Sequence, residues 1–290
     1  MIMVCNVDTG ERWAMARVRL VAMDMDGTLL NSEHVTTPYT RAVLNRAAEA
    51  GCVLALSTGR ALSELRAHLE AVPAIGYVIG ESGACLYDVA GKRALRQVVL
   101  DDDEVDAVLK AAEGLDLIYQ VFVDNQSYIR YDDAPSLEPY HIAGFAEAFQ
   151  TGSVTHADLP GLCRQNRGHV EKINLYFSAD ADRLTFLQRI EGRPLAVTGS
   201  IGVGAEVSPL HIDKGTGLKL LCEHLDIPIS QTMAVGDGGN DLEIMSAAGF
   251  AVAMGNAIPE LRALADAVTE DNDHDGVANA IRRYVLGERI

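Results

Sequence analysis

Apolar runs alternate with helical periodicity at both ends of the chain. Val18 to Met23 reads as a buried strand, Pro38 to Ala50 as a helix with proline in its first turn, and Cys52 to Ser57 as a second strand. A helix over residues 61–71 and a strand at Tyr77 to Ile79 follow. Near the C-terminus the rhythm resumes: Leu218, Leu221, Cys222 and Leu225 fall at i, i+3, i+4 and i+7 of a helix. Then come a strand at Thr232 to Val235, a helix near Asp241 to Ala248, a strand at Phe250 to Met254, and helices near 258–264 and 275–285. Strands alternating with helices predict an α/β fold, a parallel sheet covered on both faces.

The middle of the chain has a different grammar. Extended stretches pair up, Ala84 to Asp88 with Leu95 to Leu100 and Leu117 to Val123 with Tyr128 to Tyr131. A helix carries Val105, Val108, Leu109 and Ala112 on one face, and a strand at Lys172 to Ser178 precedes a helix at Ala181 to Ile190. This predicts an α+β domain over residues 85–205, inserted between two halves of an α/β domain at 18–84 and 206–290. Residues 1–17 lack periodicity and read as an N-terminal extension, with Met15 as an alternative start.

Composition narrows the partners. With 290 residues, 48% of them hydrophobic and 22% charged, the chain has the apolar material for two folded units. The 41 acidic against 24 basic residues give a net charge of -17, a field that repels nucleic acid and anionic membrane surfaces, so neither is an expected partner. The same field opposes an anionic small substrate, so a phosphate site needs local positive charge from a metal ion, a lysine or a helix N-terminus. The five cysteines (Cys5, Cys52, Cys85, Cys163, Cys222) are scattered without disulfide or metal spacing and read as reduced core residues. No apolar run approaches a membrane span and the first 17 residues lack a signal-peptide pattern, so a cytoplasmic location is expected.

Four local features carry candidate chemistry, and each has a plainer reading. Asp24 and Asp26, in Met23-Asp24-Met25-Asp26-Gly27-Thr28-Leu29, lie two apart at the end of an apolar strand, the edge where open α/β sheets bind ligands; alone they could be a loop turn or helix cap. Gly236-Asp237-Gly238-Gly239-Asn240-Asp241 follows another strand, and its oxygen groups suit Mg²⁺ as well as they suit an N-cap. Ser57-Thr58-Gly59-Arg60 offers a hydroxyl and backbone N–H groups between strand and helix, and Lys214 before the Leu218 helix offers a point positive charge. In isolation these are a cap and a solvated lysine.

Taken in this order and spacing, the four features resemble the motifs of the haloacid dehalogenase-like superfamily, specifically its Cof-type branch with a large type IIB α+β cap. The resemblance covers residues 18 to 286. It implies a Rossmann-like doubly wound parallel-sheet core, a mobile cap that closes to exclude water and sort substrates, and a Mg²⁺-dependent phosphatase acting on small phosphorylated metabolites such as sugar phosphates or phosphorylated cofactors. It further implies Asp24 as nucleophile and metal ligand, and Asp26 as general acid and base that also gives a backbone carbonyl to the metal. Thr58, Gly59, Lys214 and Asn240 would bind phosphate, Asp237 would ligate Mg²⁺ and Asp241 would support it. One departure stands out: Glu81-Ser82-Gly83-Ala84 occupies the place where Cof-like chains commonly carry N-G-A, so an amide contact is missing there.

A sugar phosphomutase or phosphotransferase uses the same residues and is the alternative; a non-catalytic regulator would not need the nucleophile. Oligomeric state is not legible in the sequence. Asp101 to Glu104 read as the charged start of the Val105 helix, and Asp271, Asp273, His274 and Asp275 as the solvated lead-in to the last helix. None of the eight histidines has a zinc-ligand spacing. Arg130, His141, His169, Glu171 and Lys172 in the inserted domain are of the kind that could touch a substrate, but read first as surface residues.

Overall fold

The computed structural model describes residues 18–130, 134–200 and 202–288. The extension expected at 1–17, the alternative start at Met15 and the strand end expected at Tyr131 lie outside these residues. The strands, in chain order, are β1 (Leu20–Met23), β2 (Val53–Ser57), β3 (Tyr77–Gly80), β4 (Cys85–Asp88), β5 (Arg93–Gln97), β6 (Leu117–Val123), β7 (Gln126–Ile129), β8 (Ser153–Thr155), β9 (Val170–Phe177), β10 (Leu195–Ser200), β11 (Gly204–Pro209), β12 (Thr232–Gly236), β13 (Phe250–Ala253) and β14 (Ala267–Val268). The chain forms two compact units. One holds the described residues up to Leu56, Val72–Gly76 and those from Leu218 onward; the other holds Ser57–Ala71 and Tyr77–Gly217.

In the first unit, five parallel strands run in the order β14-β13-β12-β1-β2. Every residue of β1, β12 and β13 is buried, the pattern required when helices cover both faces of a parallel sheet. The first helix, Pro38–Glu49, has Pro38 in its first turn as the sequence predicts, where its missing N–H costs nothing, and the structure adds a cap: the Thr37 side chain accepts from the Thr40 amide. Helices Leu242–Ala247, Pro259–Leu264 and Gly276–Tyr284 and most of helix Lys214–Leu225 also belong to the unit. From β1 the chain goes outward to β2 on one side, whereas β12 leads to β13 and β14 on the other. Strand order therefore reverses between β1 and β12, and the crevice beyond their C-terminal ends is the place where such sheets bind ligands.

In the second unit, β3, β4 and β5 form an antiparallel meander. A six-stranded sheet runs β10-β11-β9-β6-β7-β8, antiparallel except for β7 with β8. Helices Asp102–Ala112, Leu159–Gln165 and Asp180–Ile190 bury Val105, Val108, Leu162 and Phe186 in one cluster with Val121, Ile173, Leu175 and Val207 of the sheet. The acidic run at the first of these helices forms a capping box: Asp101 accepts from the Glu104 amide and Glu104 from the Asp101 amide, both at 2.8 Å.

Two local expectations need correction. The single helix expected at 61–71 is a 3-10 turn, Leu62–Glu64, followed by a short helix, Arg66–Ala71. The Glu64 carboxylate turns back to the Ala61 amide (2.8 Å) and accepts from Gln120 (3.1 Å), which tightens the first turn. The β10–β11 hairpin was not expected, because glycine, serine and proline interrupt the alternation of both strands. It is nevertheless paired from Leu195–Pro209 through Ser200–Gly204.

Candidate active site

The turn after β1 places Asp24 and Asp26 differently. The Asp24 amide still bonds the Val235 carbonyl of β12 (2.9 Å), and its side chain is buried. Asp26 is exposed, with its backbone bridged to Leu30. Beyond β12, Asp237 is half-buried and Asp241 fully buried. Asp24, Asp237 and Asp241 each bring a carboxylate oxygen within 4.8 Å of the others. Three carboxylates gathered this closely, two of them buried, repel one another strongly, and a hard divalent cation with oxygen preference offsets that repulsion. The triad is a set of groups that could hold a metal ion.

The surroundings of the triad show how it is held. The Asp241 carboxylate accepts from the amides of Asp237 (3.0 Å) and Gly238 (3.1 Å), so its position is fixed by the turn it terminates. Thr28 donates its hydroxyl to Asp237 at 2.6 Å, and Asn256 donates to the Gly27 carbonyl at 2.8 Å. Gly27 has φ +78°, and a Cβ there would lie 2.4 Å from an Asp237 oxygen. Only glycine allows that approach. Neither Thr28 nor Asn256 was singled out in the sequence; Thr28 lay inside the quoted motif, whereas Asn256, after β13, carried no signal of its own. Asn240 is exposed in the 3-10 turn Gly239–Asp241.

The remaining predicted residues belong to the second unit. Thr58 is buried, Gly59 half-buried, and the Arg60 amide donates to the Thr58 hydroxyl oxygen at 3.2 Å. Lys214 is buried at the first position of helix Lys214–Leu225, whose start is capped by Asp213 accepting from the Thr216 amide at 2.6 Å. The turn Glu81–Gly83 touches both segments. The Ser82 amide donates to the Thr58 carbonyl at 3.0 Å, and Gly83, at φ +103°, lies where a Cβ would be 2.2 Å from the Asp213 carbonyl oxygen.

Beside this turn sits a buried charge cluster that corrects the surface reading of two residues. Arg130, His141 and His169 are exposed, but Glu171 and Lys172 are buried. Lys172 donates to the Gly59 carbonyl (2.5 Å) and to Glu206 (3.0 Å), with its ammonium 4.5 Å from the centre of the Phe122 ring. Glu171 accepts from Gln97 (2.8 Å) and from the Asn125 amide (3.0 Å). Glu81 is fully buried with no hydrogen bond to either carboxyl oxygen. Burial, and next the charge of Glu171, push its carboxyl well above the usual range, and burial raises Glu171 and Glu64 as well.

These features define a parallel α/β protein with a carboxylate triad at the switch point of its sheet. Residues 21–281 match the haloacid dehalogenase-like hydrolase family. The chain is 30% identical over 295 residues to the phosphatase YwpJ of Bacillus subtilis (strain 168), covering 92% of this chain and all of that one. It is 32% identical over 252 residues to the HMP-PP phosphatase of Serratia proteamaculans (strain 568), covering 85% and 87%. A solved structure of a haloacid dehalogenase-like hydrolase from B. subtilis superposes with a TM-score of 0.81 at 28% identity, covering 91% of this chain and 99% of that one. The chain belongs to the haloacid dehalogenase-like hydrolases and is a phosphatase of that family. No helix among the described residues is long and apolar enough to cross a membrane.

Proposed function

We propose that the chain is a Mg²⁺-dependent, cytoplasmic phosphatase of small phosphorylated metabolites, sugar phosphates or phosphorylated cofactors, acting through a phosphorylated Asp24. The observation that carries this reading is the meeting of Asp24, Asp237 and Asp241 beyond β1 and β12. These three carboxylates, with the Asp26 carbonyl, would hold the ion, which supplies charge neutralisation for the transferring phosphoryl group. An Asp24 oxygen attacks phosphorus as the ester P–O bond breaks, and Asp26 gives its proton to the departing oxygen. Water then attacks the phosphorus, Asp26 takes a proton from it, and the bond to Asp24 breaks to release inorganic phosphate. The exposure of Asp26 suits a group that must exchange protons with water and substrate.

Thr58, the Gly59 amide, Lys214 and Asn240 would bind the phosphoryl oxygens. The sequence division into a core (18–84 and 206–290) and a cap (85–205) is part of the proposal; the separate six-stranded sheet supports a cap as such, while its last strand, β11, runs on to Pro209, and β4 pairs with β3 and β5 with β4 instead. The resemblance to an HMP-PP phosphatase supports a small phosphorylated metabolite as substrate. Asp24→Asn should abolish Mg²⁺-dependent release of phosphate across a metabolite panel, and hydroxylamine should trap an acyl-phosphate in the wild type only. Retention of most activity by Asp24→Asn would refute the reading.

A further inference from the structure

Lys172 has no place in the chemistry above, yet it is 1% exposed and its ammonium is committed to the backbone of a candidate phosphate loop. Burying that charge is costly unless its partners are fixed. They are fixed here: Glu206 accepts a hydrogen bond from the ammonium at 3.0 Å, and Ser82 donates to the other Glu206 oxygen at 2.6 Å. Ser82 sits at φ +58°, held by the hydrogen bond its N–H donates to the Thr58 carbonyl. The lysine's other partner is the Gly59 carbonyl, at 2.5 Å. The Gly59 carbonyl and the Arg60 N–H belong to one planar trans peptide and point in opposite directions. That N–H donates to the Thr58 hydroxyl oxygen at 3.2 Å.

We propose that Lys172, steadied by Glu206 and Ser82, is a positioning residue that sets the Thr58 hydroxyl for phosphoryl binding through the Gly59–Arg60 peptide. This rests on the phosphatase reading and on the role given there to Thr58. Tying the carbonyl to an ammonium fixes the peptide plane and polarises its N–H. With a lone pair of Thr58 occupied by that N–H, its single O–H proton is directed to another acceptor, the role a phosphoryl oxygen fills. Lys172 touches no reacting atom; it acts by keeping a donor from rotating away.

The test is a double-mutant cycle in steady-state hydrolysis of para-nitrophenyl phosphate with Mg²⁺, using the full chain. Lys172→Met should lower kcat on the order of 10- to 100-fold, the scale of a displaced binding group, with KM changed by less than about threefold. In a Thr58→Val background the same change should cost less than about threefold, because the group it positions is already gone. Glu206→Gln, nearly isosteric, gives a second cycle that decides the matter if Lys172→Met does not fold: a several-fold loss of kcat that disappears with Thr58→Val. Losses that multiply independently of Thr58, or a change in KM alone, would overturn the inference while leaving the phosphatase reading intact. A wild type without phosphatase activity would overturn both.

Discussion

Replacing Gly27 with alanine tests how the carboxylate triad is held. The added methyl would stand 2.4 Å from Oδ2 of Asp237 and 2.9 Å from its Cγ, where real Cβ atoms essentially never come within 3.0 Å. Asp237 must then retreat by at least about 0.6 Å, against its 2.6 Å bond from Thr28. The backbone at φ +78° adds about 1–2 kcal/mol of strain for any residue with a Cβ. Two effects should therefore separate. Stability, followed by urea unfolding in EDTA, should fall by more than the strain alone. In an Asp237→Ala background, where no carboxylate stands in the way, Gly27→Ala should cost only about 1–2 kcal/mol. Activity should fall on the order of 10-fold or more, since a shift approaching 1 Å costs about 100-fold, and the Mg²⁺ concentration for half-maximal activity should rise. An equal stability cost in both backgrounds, with unchanged Mg²⁺ dependence, would refute the packing argument.

Thr28→Val keeps the shape of the side chain but deletes its donor to Asp237, and should raise the half-saturating Mg²⁺ concentration about 10- to 100-fold, read by titrating phosphate release. Glu81 has a folded-state pKa raised above its unfolded value, so the folded chain binds the extra proton and stability should fall as pH rises above about 4.5, by up to about 1.4 kcal/mol per pH unit. Glu81→Gln should flatten that slope and be more stable than wild type at the alkaline end, measured by urea midpoints from pH 5 to 8. Burial pushes the Cys222 thiol up to about 11 and Cys163 up to about 12. Together with buried Cys52 and Cys85 they should resist a disulfide reagent at pH 8 until denaturant is added, as peptide mapping of the labelled positions would show.

What the sequence made legible follows the range of the forces involved. Strands β1, β2, β12 and β13 and most of the first-unit helices were readable because burial on both faces leaves apolar runs, and Pro38 marks a helix start; the two-residue β14 is too short to leave such a run. Asp24 and Asp237 were readable because each sits directly after such a run, so that knowing the strand is knowing where the carboxylate goes. The cluster around Lys172 was not. In β9 the residues Glu171, Lys172 and Asn174 interrupt the apolar ones, a pattern that normally puts polar side chains in water, yet all eight positions of the strand are buried. A bulge contributes: Phe122 pairs with Lys172 and Val123 with Val170, leaving Glu171 as the extra residue, so that neighbouring charged side chains both escape solvent. The partners that make this tolerable come from far along the chain. Glu206 is 34 residues away and Gly59 is 113 residues away. A lysine whose compensation is that remote has no local signature. A buried ion pair of this kind adds little stability over an apolar pair of the same volume. Its location against the carbonyl of a candidate phosphate loop, when a methionine would fill the same space, is therefore better explained by the orientation it imposes on Thr58 than by the energy it contributes to the fold.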